Sequence, residues 1–416
     1  MTTPLIRAID KPLAGTRIWT ADFIKLTIVT TLLRICTQVQ ITSMPLFFLH
    51  LGGSNALAGL SMTFFTLAAL LTRPFIGITL DAYGRKPILL WGVIVYTIST
   101  VLYGFVAFIP ALIFLRILHG ISFSASSTAT STMVSDVLPE DKMTVGISYF
   151  GLFGTLAVAI APPATLYLLE VSDYSVLYYL TGVVSLIALL ISVRIESDKN
   201  MRRKELEAHI MQPPSKRQSP DTARHWYKLV EPRAVPPSVI VLFVSLATSA
   251  VMVFLPSFAI GSGIRHIGVF FVVQAAALAL SRFIVGPWTA RMGHRFVISV
   301  NLLGLGIALA GISFSSTLWE LIIGAVLFGF TSGCLIPQLN AMAVTNTDPA
   351  NRGKANATFY LAMDFGIGAG ASGWGVLSDL FEMRWIFLFA GSLMIAALSA
   401  FAYMERSRRT DPGIKI

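Results

Sequence analysis

The sequence predicts an all-α membrane protein, with twelve transmembrane helices in two pseudo-symmetric six-helix bundles. Three observations carry this prediction. Long apolar runs recur along the 416 residues, only 12% of the residues are charged, and one long polar segment divides the chain into two similar halves. Soluble domains carry about 25% charged residues, so water cannot be the solvent around most of this chain. We therefore expect lipid around it.

Each apolar run is long enough to cross about 30 Å of hydrocarbon as a helix. Helices satisfy their own backbone hydrogen bonds in lipid, so we interpret the runs as helices despite their many β-branched residues. The predicted spans are 23–49, 55–79, 87–108, 110–134, 143–169, 174–194, 237–260, 266–289, 295–315, 318–344, 353–377 and 383–404.

Basic residues in the loops predict the orientation. Arg85, Lys86, Lys142, Arg291 and Arg352 follow spans that end on one side, and the other side carries few lysines or arginines. Because such residues concentrate in cytoplasmic loops, we expect both termini in the cytoplasm and the protein in the inner (cytoplasmic) membrane. The net charge of +10 is spread over these loops and forms no single patch, so no nucleic-acid partner is expected.

The polar segment sets the expected domain organisation. A cytoplasmic N-terminal segment, a first bundle, a cytoplasmic linker, a second bundle and a cytoplasmic tail are predicted at 1–22, 23–194, 195–236, 237–404 and 405–416. The first segment is charged and lacks an apolar core, so no cleavable signal peptide is expected. The basic linker is either a solvated connection or a segment that rests against anionic lipid.

The two halves repeat each other at an offset of about 210 residues. Arg73 corresponds to Arg282, and Gly84 corresponds to Gly293, in the same order along the chain. A parallel repeat of two six-helix halves places a binding site at the interface between the halves.

A polar motif follows the second span, Gly77-Ile-Thr-Leu-Asp81-Ala-Tyr-Gly84-Arg85-Lys86. Gly77 permits a close approach of two helices, and Gly84 permits a turn with positive φ. Asp81 is an anion that suits the N-terminus of another helix, where the helix dipole favours negative charge.

This motif resembles the loop signature of the major facilitator superfamily, G-x-x-x-D-x-x-G-R-[RK], and the spans and the repeat agree with that resemblance over the whole chain. The resemblance implies a cytoplasmic gate, in which Asp81 meets the start of the eleventh helix and Arg85 pairs with Asp136 at the end of the fourth. Ala82 departs from the usual basic residue, and the second-half copy has Ala290 in place of the acid. The alternative is that the basic pair only sets topology.

Arg116 and His119 lie in the fourth span, in Leu-Arg116-Ile-Leu-His119-Gly120. A buried arginine in a membrane is costly unless it faces a cavity or a partner. The segment resembles the R-x-x-x-G element that the family associates with proton coupling in its efflux members. The alternative is a structural arginine that binds backbone carbonyls or extends its charge to the interface.

Two further charges lie near mid-membrane depth. Arg34 and Gln38 share one face of the first helix, and Arg34 is expected to bind either an anionic substrate group or an internal carboxylate. Asp364 is the only acidic residue deep within a predicted span, and it shares a face with Tyr360. Asp364 is expected either to carry a proton or to be the permanently ionised partner of an arginine, Arg34 or Arg116.

The fifth and eighth helices supply two weaker candidates. Ala161-Pro162 partly resembles the antiporter element of the family, a glycine-rich run ending in Gly-Pro, and Pro162 is expected to bend the helix. Gln274 is expected either to line the cavity or to lie in the core. Cys36 and Cys334 lie within apolar runs and indicate neither a disulfide nor a metal site.

Together these features predict a secondary transporter and not an enzyme, because no paired carboxylates, metal ligands or nucleotide-binding motif are present to support catalysis. No cofactor or metal is expected, and the chain is expected to be a monomer. The resemblance is strongest to the drug and metabolite efflux branch, which implies proton-coupled export of an amphipathic or anionic small molecule by alternating access. An uptake symporter for a metabolite and a non-transporting sensor with the same fold remain the alternatives.

Overall fold

A computed structural model describes residues 18–139, 142–196, 230–345, 347 and 351–410. Within these residues the chain forms twelve long α-helices, a 3₁₀ turn at Pro232–Ala234 and no strand. The helices are α1 Ala21–His50, α2 Asn55–Tyr83, α3 Arg85–Tyr103, α4 Ile109–Val137, α5 Met143–Val171, α6 Tyr174–Val193, α7 Val235–Gly261, α8 Gly268–Met292, α9 His294–Phe314, α10 Leu318–Thr345, α11 Arg352–Leu380 and α12 Met383–Thr410.

Ten of these helices are long and apolar enough to cross a membrane by length and composition. The other two are α5, whose described apolar stretch is Ala157–Val171, and α11, which carries two arginine or lysine residues and two aspartates. The protein is therefore a multi-pass membrane protein, and the prediction of twelve helices is confirmed.

Two glycines break the chain at equivalent points of the repeat. Gly84 separates α2 from α3 with φ +91°, and Gly293 separates α8 from α9 with φ +79°. Residues with a Cβ rarely adopt this conformation. The expectation of a positive φ at Gly84 is confirmed.

The prediction for the third span was wrong at its end, because α3 stops at Tyr103 and not near residue 108. The Tyr179 ring of α6 covers the backbone here, and the Tyr179 hydroxyl donates a hydrogen bond of 3.1 Å to the Gly104 carbonyl. That bond satisfies one of the carbonyls left free at the helix end.

Helices α1–α6 and α7–α12 form two bundles, in which helices consecutive along the chain run in opposite directions. Lys25 at the start of α1 donates a hydrogen bond of 2.8 Å to the Arg194 carbonyl at the end of α6. In the second bundle Arg295 at the start of α9 forms an ion pair with Glu405 near the end of α12. These contacts define one face of the molecule, which we call the termini side; the other face is the opposite side.

The bundles contact each other most closely towards the opposite side. Gly59 of α2 lies directly against the backbone at Ala371 of α11, and Gly268 of α8 lies against Pro163 of α5. Towards the termini side Gly77 lies on the same face of α2 as Gly59, and it has open space beside it instead of a neighbouring backbone. The halves are thus closed at the opposite side and separate towards the termini side.

Candidate functional site

A cavity with about 700 Å³ of empty space, part of it open to solvent, lies between the two bundles. Helices α1, α2, α4 and α5 line it from the first half, and α7 and α11 line it from the second. Its polar or charged lining residues are Arg34, Thr37, Gln38, Thr66, Arg73 and Asp364, and its other lining residues include Ile41, Met62, Phe65, Phe123, Val158, Met252 and Ile367. The wall is mostly apolar, with three charges.

Arg34 lies deep within the protein but keeps an exposed side chain, because it projects from the wall of this cavity. Gly154 of α5 provides the space for it. A Cβ at Gly154 would lie 3.1 to 3.4 Å from the Cδ, Nε and Cζ atoms of Arg34. Among the described residues no acid forms an ion pair with Arg34, so its guanidinium can bind an anion that enters the cavity.

Asp364 forms an ion pair across the two halves. Its Oδ2 lies 2.7 Å from Nη1 of Arg73 on α2. The prediction that Arg34 or Arg116 would be its partner was therefore wrong. The pair joins the two bundles at the wall of the cavity and leaves both side chains partly exposed to it, 35% for Arg73 and 19% for Asp364.

Sequence reasoning used Arg73 only as a mark of the repeat and missed it as a site residue. The signal was nevertheless present, because Arg73 interrupts an apolar run about 15 Å from the end of α2, a depth similar to that of Asp364 in α11. An arginine at that depth has the same cost as Arg34 and calls for a partner.

Arg116 and His119 lie outside the cavity lining, within the first bundle. Arg116 is 1% exposed, donates a hydrogen bond of 3.3 Å to the Ser61 carbonyl and lies 4.7 Å from the centre of the Phe65 ring. His119 is fully buried, with its Nδ1 3.2 Å from the Tyr103 hydroxyl. Phe65 lines the cavity, so both residues are behind its wall in this conformation.

Of the remaining predicted site residues, some lie at the cavity and others pack within the bundles. Gln38 lines the cavity, and Tyr360 lies close enough to Arg34 for electrostatic interaction. Gln274 does not line it; this residue is buried, and its backbone packs against Gly329 of α10 inside the second bundle. Helix α5 continues through Pro162, and the neighbouring proline makes the contact with α8 described above.

The polar motif lies at the termini side. Helix α2 extends through Tyr83, so Asp81 belongs to the last helical turn and not to a loop; its side chain lies outside the described set. Open space surrounds Gly77, so the close helix approach expected there is absent from this conformation. Lys86 donates a hydrogen bond of 2.8 Å to the carbonyl of Val193 at the end of α6.

Arg85 lies 2.7 Å from Asp136, measured from Nε to Oδ2. The predicted partner is therefore in contact, and the pair joins the start of α3 to the end of α4. Both residues belong to the first bundle, so this ion pair stabilises one half and does not itself link the halves.

The described residues contain no group of three or more His, Cys, Asp or Glu side chains placed to hold a metal ion. The cavity instead combines the Arg34 guanidinium, the Arg73–Asp364 ion pair that joins the two bundles and an apolar wall. Such a site can bind a small molecule and link its binding to the relative position of the bundles.

Comparison with known proteins agrees with this architecture. The staphylopine export protein of Staphylococcus aureus is 23% identical over 394 residues, which are 92% of this chain and 96% of that protein. Multidrug resistance protein 2 of Bacillus subtilis is 24% identical, over 85% of this chain and 88% of that protein.

Among solved structures, the nucleoside transporter NupG superposes with a TM-score of 0.72 at 13% identity, covering 92% of this chain and 99% of that chain. A bacterial homolog of the human lysosomal transporter Spinster gives 0.70 at 16% identity, over 92% and 94% of the two chains. The family described as Major Facilitator Superfamily matches residues 26–273 and 238–415. The chain is therefore a transporter of the major facilitator superfamily.

Proposed function

We propose that this transporter exports an anionic or amphipathic small molecule across the cytoplasmic membrane in exchange for protons, as a monomer with both termini in the cytoplasm. The observation that carries the proposal is the cavity between the bundles, with Arg34 unpaired among the described residues and Asp364 in an ion pair that spans the halves. Alternating access then exposes this cavity to one side at a time.

Arg34 is the proposed anchor for the substrate. A guanidinium binds carboxylate or phosphate groups through two parallel hydrogen bonds. Ile41 and Val158 provide apolar surface beside it, and Gln38 offers further hydrogen bonds. This combination favours a molecule with one acidic group and an apolar body.

Asp364 is the proposed coupling residue. Carboxylates within membrane proteins serve as proton carriers when they face a cavity. A proton on Asp364 removes its negative charge, which weakens the attraction to Arg73 and therefore the link between the halves. Because Arg73 and Asp364 belong to different bundles, their ion pair favours closure of the opposite side. In an exchange for protons, Asp364 takes its proton from the opposite side while the cavity is open there and the pair is broken, and it gives the proton to the termini side when closure re-forms the pair.

The proposed direction is supported by two relatives whose names describe export or drug resistance. The basic loops support the orientation, since the open side of the cavity would then face the cytoplasm, where an exported substrate is collected. An uptake symporter would use the same charges, so the direction of coupling in vesicles separates the two.

The test has two stages. Accumulation and efflux of a panel of small carboxylates and amphipathic dyes in cells, with and without a protonophore, identifies a substrate. The protein is then reconstituted in vesicles, where gradient-driven transport is compared with counterflow. Asp364→Asn should lose gradient-driven transport and keep counterflow, because exchange needs no net proton movement.

Glu382→Gln is the matched control, since Glu382 is a 75% exposed acid outside the cavity. It should retain both activities. Retained proton-driven transport in Asp364→Asn would place the coupling site elsewhere, and His119 would then be tested. Loss of both activities would instead assign Asp364 to a purely structural ion pair.

A further inference from the structure

Helices α2 and α11 form an unusual pair at the boundary between the halves. Each has 29 residues, they run antiparallel, and each carries an aspartate in its last turn, Asp81 in α2 and Asp379 in α11. The sequence motif drew attention to Asp81 alone. The contact made by Asp379 has no role in the proposed binding or coupling site.

Asp379 closes the N-terminus of α2 at the opposite side. Its Oδ1 accepts a hydrogen bond from the Asn55 amide and its Oδ2 accepts one from the Ala56 amide, each of 2.9 Å. The next amide, that of Leu57, is bound by the Ser54 hydroxyl. The first three amides of α2 therefore all have acceptors, and two of these acceptors come from the other half of the protein.

This contact lies at the end of a close backbone approach. Gly375, one turn before Asp379, packs against the Asn55 carbonyl. Further along, the Thr63 hydroxyl donates a hydrogen bond of 2.6 Å to the Gly368 carbonyl. The two helices can reach this separation only when the opposite side is closed, so the carboxylate and the amides meet only in this conformation.

We propose that Asp379 is the latch that holds the opposite side closed, and that it is released when the transporter opens there. A carboxylate at a helix N-terminus is stabilised by charge-assisted hydrogen bonds and by the helix dipole. The latch is the counterpart, at the other end of the same helix pair, of the gate that the family resemblance implies for Asp81. The inference rests on the Asp379 contacts and holds whether or not Asp364 carries protons.

The test measures the distance between the halves at the opposite side. Spin labels are attached at Ala107→Cys and Ser316→Cys, two exposed positions in the α3–α4 and α9–α10 connections, with the buried Cys36 and Cys334 replaced by serine. Double electron–electron resonance of the full-length protein in lipid then gives the distribution of distances between the two labels, and from it the closed and open populations. Asp379→Ala should raise the ratio of open to closed by about fivefold to tenfold, the size of effect seen when a helix cap is removed.

Glu382→Ala is the matched control, because it removes a neighbouring exposed acid whose one ion pair within the described ranges is with Arg384. It should leave the distance distribution unchanged. If Asp379→Ala does not fold, Asp379→Asn decides the question, since it keeps one acceptor oxygen but loses the charge and should give a smaller shift in the same direction. A folded Asp379 variant with the wild-type distribution, or an equal shift in Glu382→Ala, would overturn the proposal.

Discussion

The ion pair between Arg73 and Asp364 should contribute measurably to the energy that holds the halves together. Two unit charges about 4 Å apart attract each other by about 4 kcal/mol at an effective dielectric constant of 20. Both side chains remain partly exposed in the cavity, and solvent screening and desolvation reduce the net value of such pairs to about 1 kcal/mol. This corresponds to a roughly fivefold change in the ratio of the two conformations.

A double-mutant cycle with Arg73→Gln and Asp364→Asn tests this value. The spin-label pair described above gives the open-to-closed ratio for the wild type, each single variant and the double variant. Each single change should favour the open state at the opposite side, and the double change should add little, since the pair is already broken. Effects that add to within about 0.3 kcal/mol would refute the pairing.

Four further outcomes are expected. Gly59→Leu should prevent closure at the opposite side, because the new side chain would overlap the α11 backbone at Ala371. Vesicle assays should then show no transport, and gel filtration should show that the protein is still folded. Arg116→Met should keep the melting temperature within a few degrees and leave substrate affinity unchanged, since Arg116 lies behind the cavity wall; a large loss of affinity would contradict this placement. Of two cysteines introduced in place of Ser54 and Lys354, only the one at Ser54 should react with an impermeant maleimide added outside the cell. Equal labelling of the two would contradict the topology. Asp81→Asn should shift the open-to-closed ratio in the direction opposite to Asp379→Ala, and wild-type transport in this variant would contradict the gate that the family resemblance implies for Asp81.

Helix number and position could be predicted from the sequence because a bilayer imposes a minimum apolar length on each crossing. The span predicted at 174–194 corresponds to α6 at Tyr174–Val193, and the span predicted at 318–344 corresponds to α10 at Leu318–Thr345. The end of α3 was missed because it depends on Tyr179, a residue more than seventy positions later that binds the Gly104 carbonyl. Hydropathy along the chain carries no information about such a contact.

The candidate site was predicted only in part, for a similar reason. The depth of Arg34 and Asp364 within their predicted spans identified them as cavity residues. Depth alone could not select the partner of Asp364 among several arginines. That choice depends on the rotation of each helix and on which helices are neighbours. Arg85 and Asp136 were paired correctly because the family motif already contains a three-dimensional relationship.

The division of the Arg73–Asp364 pair between two bundles also has an electrical consequence. An intact pair has no net charge, so the membrane voltage does little work on it when the bundles rotate. Once Asp364 is protonated, Arg73 carries a single positive charge, and moving one charge through 100 mV changes the energy by about 2.3 kcal/mol. Arg34 adds a positive charge in both states, so the protonated site carries one charge more than the deprotonated one. The voltage should therefore bias the protonated transporter more strongly, by an amount proportional to the fraction of the field that Arg73 crosses.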